Sequence, residues 1–204
     1  MTTNQRLVTA FDAVMASAPD HPGVETAVAA VRAALATDPV AHPPVALPPL
    51  LATALHDHPT SAGPVSGLVD AIRSMVDELV WAVAYDDYDE PDMQRVRSDY
   101  RFTPFAGPDP LARHHCLDAA MFVTVQGPGV FYPQHVHKAP ELYVVAGGSG
   151  EWQIGDGPFE SKGPGDWIWH PTGTRHAMRT TREAMIALAI WTADTDSRPV
   201  IVRA

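Results

Sequence analysis

The chain has 204 residues, of which 46% are hydrophobic, so it is long enough to bury a sizeable core. Its formal net charge is −10, and an acidic surface repels phosphate, which argues against nucleic acid and anionic membranes as partners. The single cysteine, Cys116, cannot form an intramolecular disulfide, and no apolar run approaches the roughly 20 residues that span a bilayer. We therefore expect a soluble, cytoplasmic protein.

The first part of the chain has the apolar spacing of amphipathic helices. One stripe begins at Leu7, and a second helix is predicted to start at Pro22, because proline is favoured in the first helical position. A short helix is predicted from Leu50 to His56, and the longest from Val65 to Ala84. The stripe of the longest predicted helix consists of Leu68, Ile72, Met75, Val76, Leu79, Val80 and Val83. We expect residues 1–92 to form a helical region that packs on the rest of the chain or contacts a second copy in a homodimer.

An acidic run, residues 86–92, follows these helices, and we predict a solvated linker there. From about Ser98 the hydrophobic period changes to two, with glycine and proline between short segments. Strands are predicted at 121–125, 141–145, 150–154, 166–170, 176–179 and 184–191. Short strands at regular spacing indicate an all-β sandwich or barrel, which residues 93–204 would form.

The barrel half contains a group of residues with metal-ligand chemistry. His135 and His137 lie two apart, so on a strand their side chains point to the same face. Glu141 follows four residues later, and His176, on a later predicted strand, would complete the site. Three imidazoles and one carboxylate suit Zn²⁺, Fe²⁺, Mn²⁺, Ni²⁺ or Co²⁺. We therefore predict one divalent transition-metal ion per chain, bound by His135, His137, Glu141 and His176.

Three other histidines are predicted to be surface or turn residues rather than ligands. His114 and His115 are adjacent, so their side chains would face opposite sides of a strand. His170 directly precedes Pro171, which is typical of a turn.

Two segments carry the motifs of a known superfamily. The segment from Gly129 to Gly148 matches the first cupin motif in every spaced position, and the segment from Gly165 to His176 matches the second. The second motif usually ends in asparagine, and this chain has Thr180 there, which is not a ligand position. The barrel half therefore resembles the cupins, and the resemblance implies a double-stranded β-helix, or jelly-roll barrel, preceded here by an N-terminal α-helical region. Cupins host many reactions, so the two motifs assign none.

A narrower resemblance covers about Gly129 to Trp191. Glu141-Leu-Tyr143, residues 150–158 and 170–180, and Trp191 are similar to the cupin-type dimethylsulfoniopropionate (DMSP) lyases. In that family the pattern His-x-His-x3-Glu-x-Tyr carries both the metal and a reactive tyrosine, which implies Tyr143 as the catalytic base. A second tyrosine is typical three residues before the first histidine, and Tyr132 stands there. The resemblance implies that Tyr132 takes part in catalysis and that Tyr132 and Trp191 contact the substrate.

The resemblance implies a carbon–sulfur lyase that splits DMSP, a small molecule, into dimethyl sulfide and acrylate by β-elimination. An iron-dependent cupin dioxygenase acting on a small organic acid or thiol could use the same ligands, and a ligand-binding cupin without a reaction is a third reading. Tyr143 beside the ligands favours proton abstraction, because a phenol supplies a base. Dependence on O₂ separates the two enzyme classes.

Overall fold

The computed structural model describes residues 3–57 and 63–203, and within them helices precede a two-sheet barrel. The helices are α1 (Thr3–Met15), α2 (Val24–Leu35), α3 (Pro49–Asp57), α4 (Pro64–Arg73) and the short α5 (Gln94–Asp99). The first helix and the short third helix are confirmed. The second begins at Val24 rather than Pro22, because Gly23 intervenes with a left-handed φ of 82°.

The predicted helix from Val65 to Ala84 is wrong in its length. Its helical part, α4, ends at Arg73, and after a short 3-10 turn the chain is extended from Leu79. Backbone pairing with distant residues replaces the helix, since Ala82 exchanges hydrogen bonds of 2.8 and 3.2 Å with Phe102. Met75 and Leu79 nevertheless lie in the same apolar cluster as α4, so their spacing imitates a continued helix.

Two sheets form the barrel. Its strands are β1 (Tyr100–Gly107), β2 (His114–His115), β3 (Ala120–Gln126), β4 (Phe131–Val136), β5 (Glu141–Gly148), β6 (Gly150–Ile154), β7 (Glu160–Lys162), β8 (Trp167–His170), β9 (His176–Arg179), β10 (Met185–Trp191) and β11 (Val200–Ile201). The six-stranded sheet has the order β2-β1-β3-β10-β5-β8, and the five-stranded sheet has the order β11-β4-β9-β6-β7. All six predicted strands are present.

The six-stranded sheet is buried on both faces. Its outer face packs against helices α1 to α4 in one apolar cluster that includes Leu68, Val144 and Leu188. Its inner face lines the barrel in a second cluster that includes Tyr143 and Val145. Neighbouring residues such as Val144 and Val145 fall on opposite faces because side chains alternate along a strand. How the chain divides into domains at residue 92 stays a prediction.

Strand β8 shows this alternation in four residues. Trp167 packs on the helical cluster, and Trp169 stacks on His21 with ring centroids 4.8 Å apart, so both point outward. Ile168 and His170 therefore point into the barrel, where both are buried. In the two described ranges, no helix combines the length and the apolar character that crossing a membrane requires.

Candidate metal centre and cavity

The pairing of β4 with β9 brings the predicted histidines together inside the barrel. His135 lies opposite His176 in the register, and their ring centroids are 4.0 Å apart. His137 follows β4, and its carbonyl oxygen accepts a 3.1 Å hydrogen bond from the Gly173 N–H in the turn before β9. That bond joins the two sequence motifs directly. The donor nitrogens of His135, His137 and His176 lie within 4.8 Å of one another, and all three side chains are buried.

Glu141 faces these histidines from the other sheet, at the start of β5. Its Oε2 atom lies 3.2 Å from His137 Nε2 and 3.5 Å from His176 Nε2, and the side chain is buried. The structure therefore brings all four predicted ligand side chains into one cluster.

The orientation of the rings leaves a site for a cation. His135 Nδ1 lies 2.9 Å from Pro133 O, His137 Nδ1 lies 2.8 Å from Ala139 O, and His176 Nδ1 lies 2.9 Å from Thr174 O. A carbonyl oxygen only accepts, so each Nδ1 carries a proton, and in the neutral ring Nε2 presents a lone pair. His137 Nε2 and Glu141 Oε2 lie 3.2 Å apart, so this contact holds either a proton on His137 or a metal ion between the two atoms. His176 Nε2 is buried without a hydrogen-bond partner in the described residues. These donors fit a divalent metal ion.

The ionisation of the cluster also suits a cation. Burial lowers the pKa of His135 to about 3 and holds that of His176 well below its ordinary value, so both rings are neutral. Burial alone would raise the pKa of Glu141, but its hydrogen bond with His137 and the charge there hold the pKa well below the usual range. Burial alone would lower the pKa of His137, but its hydrogen bond with Glu141 and the charge of that carboxylate raise the pKa above the ordinary value. Neutral imidazoles and an ionised carboxylate are the forms that bind a metal ion, so an ion at this site would replace the proton that His137 shares with Glu141.

The prediction that His170 is a surface or turn residue is wrong. The side chain is fully buried, its Nδ1 atom lies 3.1 Å from Glu141 Oε2, and its ring stacks on His176 with centroids 3.8 Å apart. Alternation along the strand places His170 on the same face as Ile168 and opposite Trp167 and Trp169, but it does not tell which face points inward. The neighbouring proline indicated a turn.

His114 is likewise buried rather than at the surface, whereas His115 is exposed. Strand β2 places the His114 ring in the interior, beside the backbone of Ala34. Burial lowers its pKa to about 4, and the nearby Arg113 adds to that shift. The ring belongs to none of the potential ligand groups found in the described ranges, so His114 is a core residue.

A cavity of about 670 Å³ lies beside the cluster, bordered by His135, His137 and Glu141. All five tyrosines of the chain line it: Tyr85, Tyr88, Tyr100, Tyr132 and Tyr143. Asp86 and Asp87 of the acidic run are exposed, as predicted for a solvated segment, and they also border the cavity. The acidic run therefore contributes to the site, which its charge pattern alone did not predict.

Each tyrosine of the first motif is hydrogen-bonded to a tyrosine outside it. The Tyr132 hydroxyl donates to the Tyr85 hydroxyl at 2.7 Å, and Tyr143 is hydrogen-bonded to Tyr100. Tyr132 also stacks on His135 with ring centroids 4.1 Å apart. Burial raises the pKa of both motif tyrosines well above the ordinary value, and for Tyr143 the charge of Glu141 raises it further. The sequence holds no local signal for Tyr85 or Tyr100, since only the folded chain places them here.

Trp191 touches both the cluster and the cavity. Its indole Nε1 donates a 2.7 Å hydrogen bond to Glu141 Oε1, and its ring stacks on His137 with centroids 4.9 Å apart. The side chain lies at the cavity wall and is almost fully buried. Trp191 is therefore a neighbour of the candidate ligands as well as a wall of the cavity.

Comparison with known proteins gives the same picture over most of the chain. The model of the dimethylsulfoniopropionate lyase family matches residues 9–187. The dimethylsulfoniopropionate lyase DddQ of Ruegeria pomeroyi is 37% identical over 82 residues, which are 40% of this chain and 41% of that protein. The aligned segment thus spans less than half of this relative.

Solved structures extend the likeness to nearly the whole chain. The crystal structure of DMSP lyase DddQ from Ruegeria pomeroyi superposes with a TM-score of 0.74 at 22% identity, covering 98% of this chain and 96% of that one. A second structure, from a study of the DMSP lyases RdDddP and RnDddQII, gives a TM-score of 0.70 at 21% identity, covering 99% and 100%. The predicted fold class, a cupin barrel with N-terminal helices, is confirmed.

Proposed function

Because the chain belongs to the dimethylsulfoniopropionate lyase family, we propose that it is a carbon–sulfur lyase that cleaves DMSP into dimethyl sulfide and acrylate. The observation that carries this proposal is the position of the buried histidine–glutamate cluster, which borders a cavity lined by phenols. Proton abstraction next to a carboxylate needs a base and an electrostatic stabiliser, and the cavity offers residues for both.

We propose that His135, His137, Glu141 and His176 hold one divalent ion, which is Zn²⁺, Fe²⁺, Mn²⁺, Ni²⁺ or Co²⁺. The three imidazoles and the carboxylate suit all of these ions, so the donor set does not choose among them. When bound, such an ion supplies Lewis-acid chemistry, which stabilises negative charge that develops on the carboxylate of the substrate.

Tyr143 is the base in this proposal. Its oxygen takes a proton from the carbon next to the substrate carboxylate, the electron pair of that C–H bond forms the C=C bond, and the C–S bond breaks with its electrons on sulfur. The leaving group is neutral dimethyl sulfide, so it needs no proton from the protein. Burial and Glu141 both favour the neutral phenol of Tyr143, so its reactive form requires compensating positive charge in the cavity.

Tyr132 and Trp191 contact the substrate in this proposal. The sulfonium end of DMSP is a cation with an apolar exterior, and aromatic rings attract such groups. Both rings lie at the cavity wall beside the cluster. The Tyr132 hydroxyl, paired with Tyr85, also takes part by orienting the substrate towards Tyr143. A cytoplasmic location and a homodimer contact through the helical region stay predictions.

The rival function is an iron-dependent dioxygenase acting on a small organic acid or thiol, and family membership disfavours it. Elimination consumes no oxidant, so we expect equal product formation with and without O₂. The test is to load the purified protein with each of the five ions, add DMSP, and measure dimethyl sulfide by gas chromatography and acrylate by liquid chromatography. Equal amounts of both products under anaerobic conditions support the lyase. A strict requirement for O₂, or no product with any of the ions, contradicts it.

A further inference from the structure

Glu141 lies between two cross-strand neighbours on the inner face of the six-stranded sheet. Strand β5 pairs with β10 so that Glu141 is opposite Trp191, and with β8 so that Glu141 is opposite His170. Side chains directly opposite one another in antiparallel strands share a face and come into contact. The carboxylate therefore has an aromatic neighbour on each side, and the backbone register determines both.

Each neighbour contacts a different oxygen of the Glu141 carboxylate. Trp191 Nε1 lies 2.7 Å from Oε1, and His170 Nδ1 lies 3.1 Å from Oε2. An indole N–H can only donate, and an ionised carboxylate can only accept, so the first contact has one direction. The second is a donor contact when the proton of His170 is on Nδ1. The opposite nitrogen, His170 Nε2, has no hydrogen-bond partner in the described part of the chain.

The orientation of His170 differs from that of the three candidate ligands. Those rings turn Nδ1 to a backbone carbonyl and Nε2 to the cluster. His170 instead turns Nδ1 to the carboxylate and stacks on the His176 ring at an interplanar angle of 18°, so it presents its face to His176. We propose that His170 is a positioning residue which, together with Trp191, holds both oxygens of Glu141 in the orientation that binds the metal ion. This inference rests on the proposed metal site.

The proposal has a measurable consequence for metal binding. Groups that hydrogen-bond a metal ligand typically change the affinity by about 10- to 100-fold when they are removed. His170→Leu removes the donor and puts an apolar side chain in the same buried position. His170→Asn keeps an N–H donor near the position of Nδ1 but removes the Nε2 atom. Comparing the two variants therefore separates the role of His170 as a hydrogen-bond donor from any role of its Nε2 atom.

The experiment measures Co²⁺ binding to the full chain by competition with a chelator, together with the ligand-field absorption spectrum of the bound Co²⁺. We expect His170→Leu to bind Co²⁺ about 10- to 100-fold more weakly, and His170→Asn to recover most of that loss with the spectrum of the parent protein. Trp191→Phe, which removes the other donor, should weaken binding comparably. His115→Asn, a change of an exposed histidine, is the matched control and should have no effect. Thermal unfolding of the metal-free variants shows whether each one folds.

The outcomes are distinct. If both His170 variants lose the ion as completely as His135→Ala does, His170 is itself a ligand and the positioning role is wrong. If a folded His170→Leu variant binds Co²⁺ as tightly as the parent protein, the hydrogen bond to Glu141 is irrelevant to the metal, and the inference is again overturned. If the parent protein binds neither Co²⁺ nor any other of the five ions, the proposed metal site is wrong, and this inference is wrong with it.

Discussion

Both faces of the six-stranded sheet are largely buried, but they are built from different kinds of side chain. The outer face presents residues such as Val144, Ile186 and Leu188, which pack on the helices through apolar contacts alone. The inner face carries Glu141 and Tyr143, whose polar atoms point into the barrel beside the histidines. Apolar volume is sufficient on the outer face, because burial of hydrocarbon has no preferred direction. The inner face depends on particular donor atoms at particular positions.

The largest effect should come from the inner face. His135→Ala and His176→Ala each remove one of four proposed ligands, so we expect loss of the bound ion and of all DMSP cleavage. The variants should keep the fold, because the outer-face packing is untouched. Elemental analysis and the dimethyl sulfide assay measure the two losses, and full metal occupancy in both variants would contradict the ligand assignment.

The outer face is tested by removing what covers it. A shortened chain that starts at Met93 exposes the apolar face of β1, β3, β5 and β10, so we expect it to aggregate or to lose thermal stability. Leu68→Ala is the milder change, and it should lower the free energy of unfolding by about 2–5 kcal/mol without changing the turnover of folded protein. Light scattering and chemical denaturation measure these effects. A shortened chain that is monomeric and equally heat-resistant would show that the helices are dispensable for the barrel.

Turnover should depend more on a single oxygen atom of the inner face than on many carbon atoms of the outer face. Tyr143→Phe keeps the ring but removes the hydroxyl, so we expect turnover to fall by about 10²- to 10⁴-fold, the usual contribution of a general base. Metal content and unfolding temperature should stay those of the parent protein. Tyr132→Phe is the matched comparison and should reduce turnover less. If the Tyr132 variant is inactive and the Tyr143 variant is active, the roles of the two tyrosines are reversed.

The smallest effect concerns His114, a polar side chain in the core outside the metal cluster. Its pKa is about 4 in the folded chain, against about 6.5 when unfolded, so below pH 6.5 the unfolded chain takes up a proton that the folded chain does not. As the pH decreases from about 6.5 to about 4, this residue should therefore lower the free energy of unfolding by up to about 1.4 kcal/mol per pH unit.

His114→Leu should remove that part of the slope, while His115→Leu, at an exposed position, should not. The other buried histidines act equally in both variants, so the difference between the variants reports His114. Urea denaturation at several pH values gives the slope, and identical slopes in the two variants would contradict the assignment.

The contrast between the faces also explains what the sequence could predict. The four candidate ligands were found because their spacing is a chemical pattern, and the period of two predicted the strands around them. The helix from Val65 to Ala84 was too long because Met75 and Leu79 are buried beside α4 without being helical, and hydrophobic spacing cannot distinguish the two cases.

Two other features of the site were not predicted from the sequence, for different reasons. Alternation along β8 places His170 with Ile168, but the sequence does not tell which face points inward, and the proline neighbour indicated a turn. Tyr85 and Tyr100 could not have been found, because their approach to Tyr132 and Tyr143 depends on how distant segments meet in the folded chain.

The gathering of every tyrosine around one cavity makes the protein its own optical probe. A phenolate absorbs at longer ultraviolet wavelengths than a phenol, and this chain has no tyrosine elsewhere to add a background signal. Any change in tyrosine absorbance on adding a metal ion or a substrate analogue must therefore originate at a tyrosine of this cavity. A difference spectrum of the unlabelled protein would follow occupancy of the cavity directly, without a dye, a tag or a coupled assay.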